Sequence, residues 1–122
     1  MIDQMEIRNR LERFLTAAEK WDPNGYAEFF SIDAVKVDPN GSDPVKGRDA
    51  IVTRYRDKRM AKLSSWEIQR DDIFVAGQGA ALRWTVHLED KQGEKASYEG
   101  IDTFAFNNAG ECCEMITFPR KI

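Results

Sequence analysis

Histidine is nearly missing from this 122-residue chain, with His87 its one copy, and the two cysteines, Cys112 and Cys113, are sequence neighbours. No spaced His or Cys set points to a metal centre. Adjacent cysteines cannot bridge each other without strain, so reduced thiols in a cytoplasmic protein are the expectation. Positive charge is not in excess: 18 Lys plus Arg stand against 21 Asp plus Glu, for a net −3. That argues against a nucleic-acid partner, which would require a basic face. No apolar run approaches the ~20 residues of a membrane span. The opening Met1-Ile2-Asp3-Gln4-Met5-Glu6 lacks the basic-then-apolar pattern of a signal peptide. No repeat, low-complexity tract or linker divides the chain, so one domain over residues 1–122 is expected. What is present, 42% hydrophobic and 32% charged residues, is the composition of an ordinary globular protein.

From Asp3 to about Lys20, Ile7, Leu11, Phe14, Leu15 and Ala18 recur at helical spacing. Asp3 followed by Glu6 resembles a capping box. Asp22-Pro23 is a second start signal, with an N-cap followed by proline at the first helical position, and it opens a short helix carrying Tyr26, Phe29 and Phe30. A strand around Ala34 to Val37 runs into the turn cluster Asp38-Pro39-Asn40-Gly41-Ser42-Asp43-Pro44. A third helix is expected over Arg48 to Met60, with Arg54, Arg56 and Lys58 solvated. Four strands follow, over Trp66–Ala76, Ala80–Glu89, Ala96–Phe106 and Glu111–Phe118, joined by turns at Asp90-Lys91-Gln92-Gly93 and Asn107-Asn108-Ala109-Gly110. Helices grouped before an antiparallel meander indicate an α+β fold with helices packed on one face of a curved sheet.

The order of elements, together with particular residues, resembles the NTF2-like (cystatin-like α+β cone) superfamily, and within it the SnoaL-like and ketosteroid isomerase branch. The marks are Trp21-Asp22, Phe29-Phe30-Ser31-Ile32-Asp33-Ala34, Asp38-Pro39-Asn40-Gly41, Gly47-Arg48-Asp49-Ala50-Ile51, Gly100-Ile101-Asp102-Thr103-Phe104 and Gly110. The resemblance implies three N-terminal helices on a curved, mainly antiparallel sheet. It also implies a cofactor-independent isomerase, cyclase or dehydratase acting on a small hydrophobic or polyketide-like molecule. In the isomerases the general base is an aspartate opening an Asp-Pro-x-Gly turn, where Asp38 stands. A second, protonated aspartate donates to the oxyanion, and Asp102 matches it. Tyr55 matches a supporting tyrosine on the third helix. Phe14 occupies the place of the main tyrosine donor and has no hydroxyl.

A dienolate route uses a base that moves a carbon-bound proton and a donor aimed at the developing oxyanion. Asp102 could donate only while protonated, which an apolar site favours. If the family alignment turns Asp102 into the cavity together with Arg83, Thr85, His87, Tyr98, Met115 and Thr117, the ligand should be small and oxygenated or anionic. His87 would then form an acid–base pair with Asp102. Plain alternation along Leu82, Trp84, Val86 and Leu88 instead puts His87 in solvent. An inward His87 requires a homodimer through the outer sheet face, with Trp84 and Leu88 at its interface. Asp38 is also what any turn would use before proline, and Asp102 could be a rim residue paired with a cation. A binding domain that has lost catalysis, and an interaction domain that binds a protein through its exposed sheet, are the alternatives to an enzyme.

Overall fold

The computed structural model describes residues 2–122. Its first helix, α1, spans Gln4–Glu19, and the Asp3 carboxylate caps it by accepting from the Met5 N–H at 2.9 Å. The capping box is only half formed, because the Glu6 carboxylate accepts from Arg10 Nε at 2.9 Å one turn onward. Ile7, Leu11, Phe14, Leu15 and Ala18 form its buried stripe. Asp22 caps the short α2, Pro23–Glu28, by accepting from the Gly25 N–H at 3.1 Å. Phe30, expected on this helix, instead opens strand β1, Phe30–Val37. Tertiary pairing decides this: the Cys112 N–H donates to the Phe29 carbonyl at 2.8 Å, and Phe30 stands opposite Cys112.

A two-residue strand β2, Val45–Lys46, pairs back on β1 just after the expected turn cluster. Gly47, at φ +95°, then turns the chain into α3, Arg48–Tyr55. The expected helix changes character after Tyr55. Residues Arg56–Met60 form a π-helical turn, whose wider i to i+5 bond joins the Ala61 N–H to the Arg56 carbonyl at 2.9 Å.

The remaining strands are β3 (Leu63–Ala76), β4 (Gly79–Asp90), β5 (Lys95–Phe106) and β6 (Cys112–Lys121), an antiparallel meander. β1 runs parallel to β6, giving the six-stranded order β2-β1-β6-β5-β4-β3. Register shifts in β3 and between β5 and β6 are bulges that bend strands and increase twist. The sheet curves around the helices and leaves the core open at one end. The closed end is filled by Ile7, Leu11, Phe30, Leu82 and Cys112, with Phe29 stacked on Phe14 at 4.1 Å between ring centroids. Among the described residues no helix is long and apolar enough to cross a membrane.

Candidate active site

The open end of the cone is a cavity of about 490 Å³ between the helices and the concave sheet face, within the size of small-molecule sites. Strand register decides what lines it, because residues directly opposite in an antiparallel pair share a face. Asp102 of β5 stands opposite Leu82 of β4 and Thr117 of β6. Its face therefore carries Trp84, Val86, Tyr98, Met115 and Thr117, all of which line the cavity.

The same register corrects the expectation for β4. Arg83, Thr85 and His87 belong to the other face of the sheet. The His87 Nδ1 lies 2.8 Å from the Ser97 hydroxyl, the Thr85 hydroxyl donates to Asp71 at 2.6 Å, and Arg83 is exposed. His87 therefore cannot pair with Asp102. Trp84 and Leu88 are not on the outer face either; both line the cavity, and Trp84 is buried. Plain hydrophobic alternation gives the right facing here, and the alignment that turned Asp102 inward together with His87 is out of register by one residue.

Asp102 is buried at 7% exposure. Its Oδ1, the Trp84 indole N–H and the Thr117 hydroxyl are buried without hydrogen-bond partners among the described residues. Burial pushes the Asp102 carboxyl up to about 6, against the pull of Thr117, Lys36 and Trp84, which favour the charged form. Trp84 reaches this spot because Gly100 stands opposite it. A Cβ on Gly100 would lie 2.6 Å from the indole Cζ2, so glycine is what lets the ring lie across β5.

Asp38 reaches the cavity from the turn after β1. The Asn40 N–H donates to the Thr117 carbonyl at 2.8 Å, which ties that turn to β6 beside Asp102's cross-strand neighbour. Lys36 Nζ and Arg59 Nη2 stand 3.5 and 3.9 Å from its carboxylate. Tyr55 and Phe14 also line the cavity. The Tyr55 hydroxyl, however, is committed to the Ala18 carbonyl at 2.7 Å, where it pins α3 to α1. Arg48 is a structural residue, donating from Nε to the Phe30 carbonyl at 2.8 Å and from Nη2 to Glu111 at 3.2 Å.

Two further sets of residues line the cavity. Tyr26 stacks face to face on Tyr55 at 4.0 Å and lies 4.8 Å from Phe14. Its hydroxyl is held well above the ordinary tyrosine range, first by burial, and the charges of Arg59, Asp102 and Asp38 are all felt there. The second set is a row of cations, Arg54, Lys58, Arg59 and Lys62, contributed by α3, the π-helical turn and the residues just after it. The four-residue spacing of Arg54, Lys58 and Lys62 was the available signal, but on a plain amphipathic helix Arg54 and Lys58 read as solvated. Among the described residues no three His, Cys, Asp or Glu side chains form a metal cluster.

Helices over a curved mixed sheet, with a polar group buried at the base of an open apolar cavity, define an NTF2-like α+β cone. The chain belongs to the SnoaL-like domain family, whose pattern residues 11–115 match. It is 32% identical over 114 residues to a Steroid Delta-isomerase of Nocardioides simplex, covering 93% of this chain and 89% of that protein. Solved structures share the fold at lower identity. A putative SnoaL-like polyketide cyclase from Shewanella denitrificans superposes with a TM-score of 0.84 at 12% identity, over 93% of this chain and 90% of that one. A Mycobacterium tuberculosis protein in complex with estradiol-17beta-hemisuccinate gives 0.82 at 19%, over 93% and 92%.

Proposed function

We propose that the cavity catalyses a cofactor-independent proton transfer next to a carbonyl, in the manner of a steroid Δ-isomerase, on a hydrophobic substrate. The observation that carries this reading is the contrast between two carboxyl groups in one cavity. Asp102 is buried, unpartnered through Oδ1 and raised to about 6, whereas Asp38 stands beside two cations at a more open position. Carboxyl groups in unlike environments divide naturally into acid and base roles. In this account Asp38 takes the proton from carbon and returns it one or two atoms away. Asp102, protonated once an apolar ligand displaces water, donates to the oxyanion.

Tyr26 supplies a second donor in this account. Phe14 offers no hydroxyl, the Tyr55 hydroxyl is engaged with Ala18, and Tyr26 lies beside both rings in the same wall. Phe14, Tyr98, Met115 and Thr117 complete the binding surface around the substrate. Identity to a steroid isomerase over most of both chains supports the substrate class. The missing hydroxyl at Phe14 favours one competing reading, a cavity that binds a small molecule without changing it.

The test is conversion of a 5-ene-3-oxosteroid to its conjugated 4-ene isomer, followed by ultraviolet absorbance. Turnover by the wild-type protein that disappears in Asp38→Asn supports the enzyme. Saturable steroid binding with no turnover favours the silent binder. We also propose self-association through the outer sheet face, where Ile101 and Phe118 stand opposite each other and exposed. A dimer in sedimentation equilibrium that Ile101→Glu dissociates is the expected outcome, and a wild-type monomer refutes it.

A further inference from the structure

The cavity mouth is charged opposite to the chain as a whole. The protein carries a net −3, yet Lys36, Arg54, Lys58, Arg59 and Lys62 line the cavity against two carboxylates, Asp38 and Asp102. Lys36 and Arg59 stand by Asp38 at 3.5 and 3.9 Å. Among the described residues, Arg54, Lys58 and Lys62 have no carboxylate within 4.0 Å.

The backbone gathers these three. They recur every fourth residue across the wide turn closed by the Ala61 N–H on the Arg56 carbonyl, and all three are exposed while lining the cavity. The adjoining row is fixed by Tyr55, stacked on Tyr26 at 4.0 Å, and by Arg59, whose guanidinium lies 5.3 Å over the Trp66 ring. Single π-helical turns of this kind cluster at functional sites. Below the cations the wall is apolar, made of Phe14, Ile68, Trp84 and Val86. Like charges held together over a low-dielectric wall repel one another and focus their field into the opening.

We propose that the cavity takes an amphiphile, an apolar body carrying a carboxylate, sulfate or phosphate ester, with the anionic group held at the mouth by Arg54, Lys58 and Lys62. This rests on reading the cavity as the ligand site, and it extends the ligand class from neutral hydrophobic ketones to anionic conjugates with the same apolar body. Arg83 and His87, from which a small oxygenated or anionic ligand was expected, take no part in this site, because they lie on the other sheet face.

The test uses two probes with one body, N-phenyl-1-naphthylamine and 8-anilino-1-naphthalenesulfonate, titrated by probe fluorescence. In wild type the sulfonate binds about tenfold more tightly at low salt, the order expected of a few exposed charge pairs. That gap narrows at ~0.5 M salt through screening. The double variant Lys58→Glu, Lys62→Glu closes the gap or inverts it. Lys95→Glu, at an exposed position on the β4–β5 hairpin, leaves it intact. Equal affinities in wild type, a gap that survives the double variant, or no binding of the sulfonate overturns the proposal. The proton-transfer reading is judged separately by Asp38-dependent turnover of a neutral steroid, so either can fail without the other.

Discussion

Replacing Asp102 with asparagine removes a buried charge while keeping the shape of the side chain, and the effect on stability has a calculable pH dependence. Burial raises the folded-state carboxyl from 3.8 to about 6. The folded protein therefore holds this proton to higher pH than the unfolded chain does. Between those values the native state binds more protons, so this group lowers stability as pH rises, and the loss is complete above about 6. Fully developed, it amounts to ~3 kcal/mol, and ~1.4 kcal/mol of it falls between pH 5 and 8. The amide of Asp102→Asn does not titrate, so any offset it introduces is the same at every pH. Urea unfolding followed by tryptophan fluorescence reads the difference. With an m-value of ~1.5 kcal/mol/M, the midpoint of Asp102→Asn gains ~1 M on wild type between pH 5 and 8. A midpoint difference that stays constant, or that shifts in favour of wild type as pH rises, refutes the account of a desolvated carboxyl at this position.

Other substitutions separate the faces and the roles. His87→Ala, on the outer face against Ser97, leaves turnover and ligand affinity unchanged in steady-state assays. Tyr26→Phe lowers kcat by about 10²-fold with KM little changed, the size of one oxyanion donor; an equal loss of affinity contradicts the role. Tyr55→Phe removes the hydroxyl bond to the Ala18 carbonyl, which keeps the Trp21 N–H at 3.4 Å, and costs ~1 kcal/mol in urea unfolding. Gly100→Ala drives a methyl into the Trp84 ring and the Phe118 carbonyl. It costs ~1–3 kcal/mol and weakens ligand binding, both measurable by tryptophan fluorescence.

The helices α1 and α2 could be read from the sequence because Asp3 and Asp22 cap them and their apolar stripes repeat locally. The meander was legible for the same reason, with alternation and glycine turns marking each strand. Phe30 was not: its helix-like neighbourhood is overruled by pairing with Cys112 on a strand far along the chain. The π-helical turn after Tyr55 has no composition of its own, so its cations read as an ordinary wet face. Asp38 and Asp102 stood out by residue type and by the family marks, and the structure brings both to one cavity. The facing of β4 failed differently. Its hydrophobic alternation was clear, but placing Asp102 inward by analogy pulled His87 along with it, and only the Leu82–Asp102 pairing resolves which residues share a face.

In the proposed reaction one carboxylate, Asp38, carries a proton between two carbons of a hydrophobic ketone. The most direct measurement follows the label in a 5-ene-3-oxosteroid deuterated at the carbon that loses its proton. The expected result is isomerisation in which deuterium appears at the carbon that gains a proton, with both turnover and transfer lost in Asp38→Asn while the protein stays folded. Absence of turnover in wild type, or isomerisation and label transfer that survive Asp38→Asn, contradicts it.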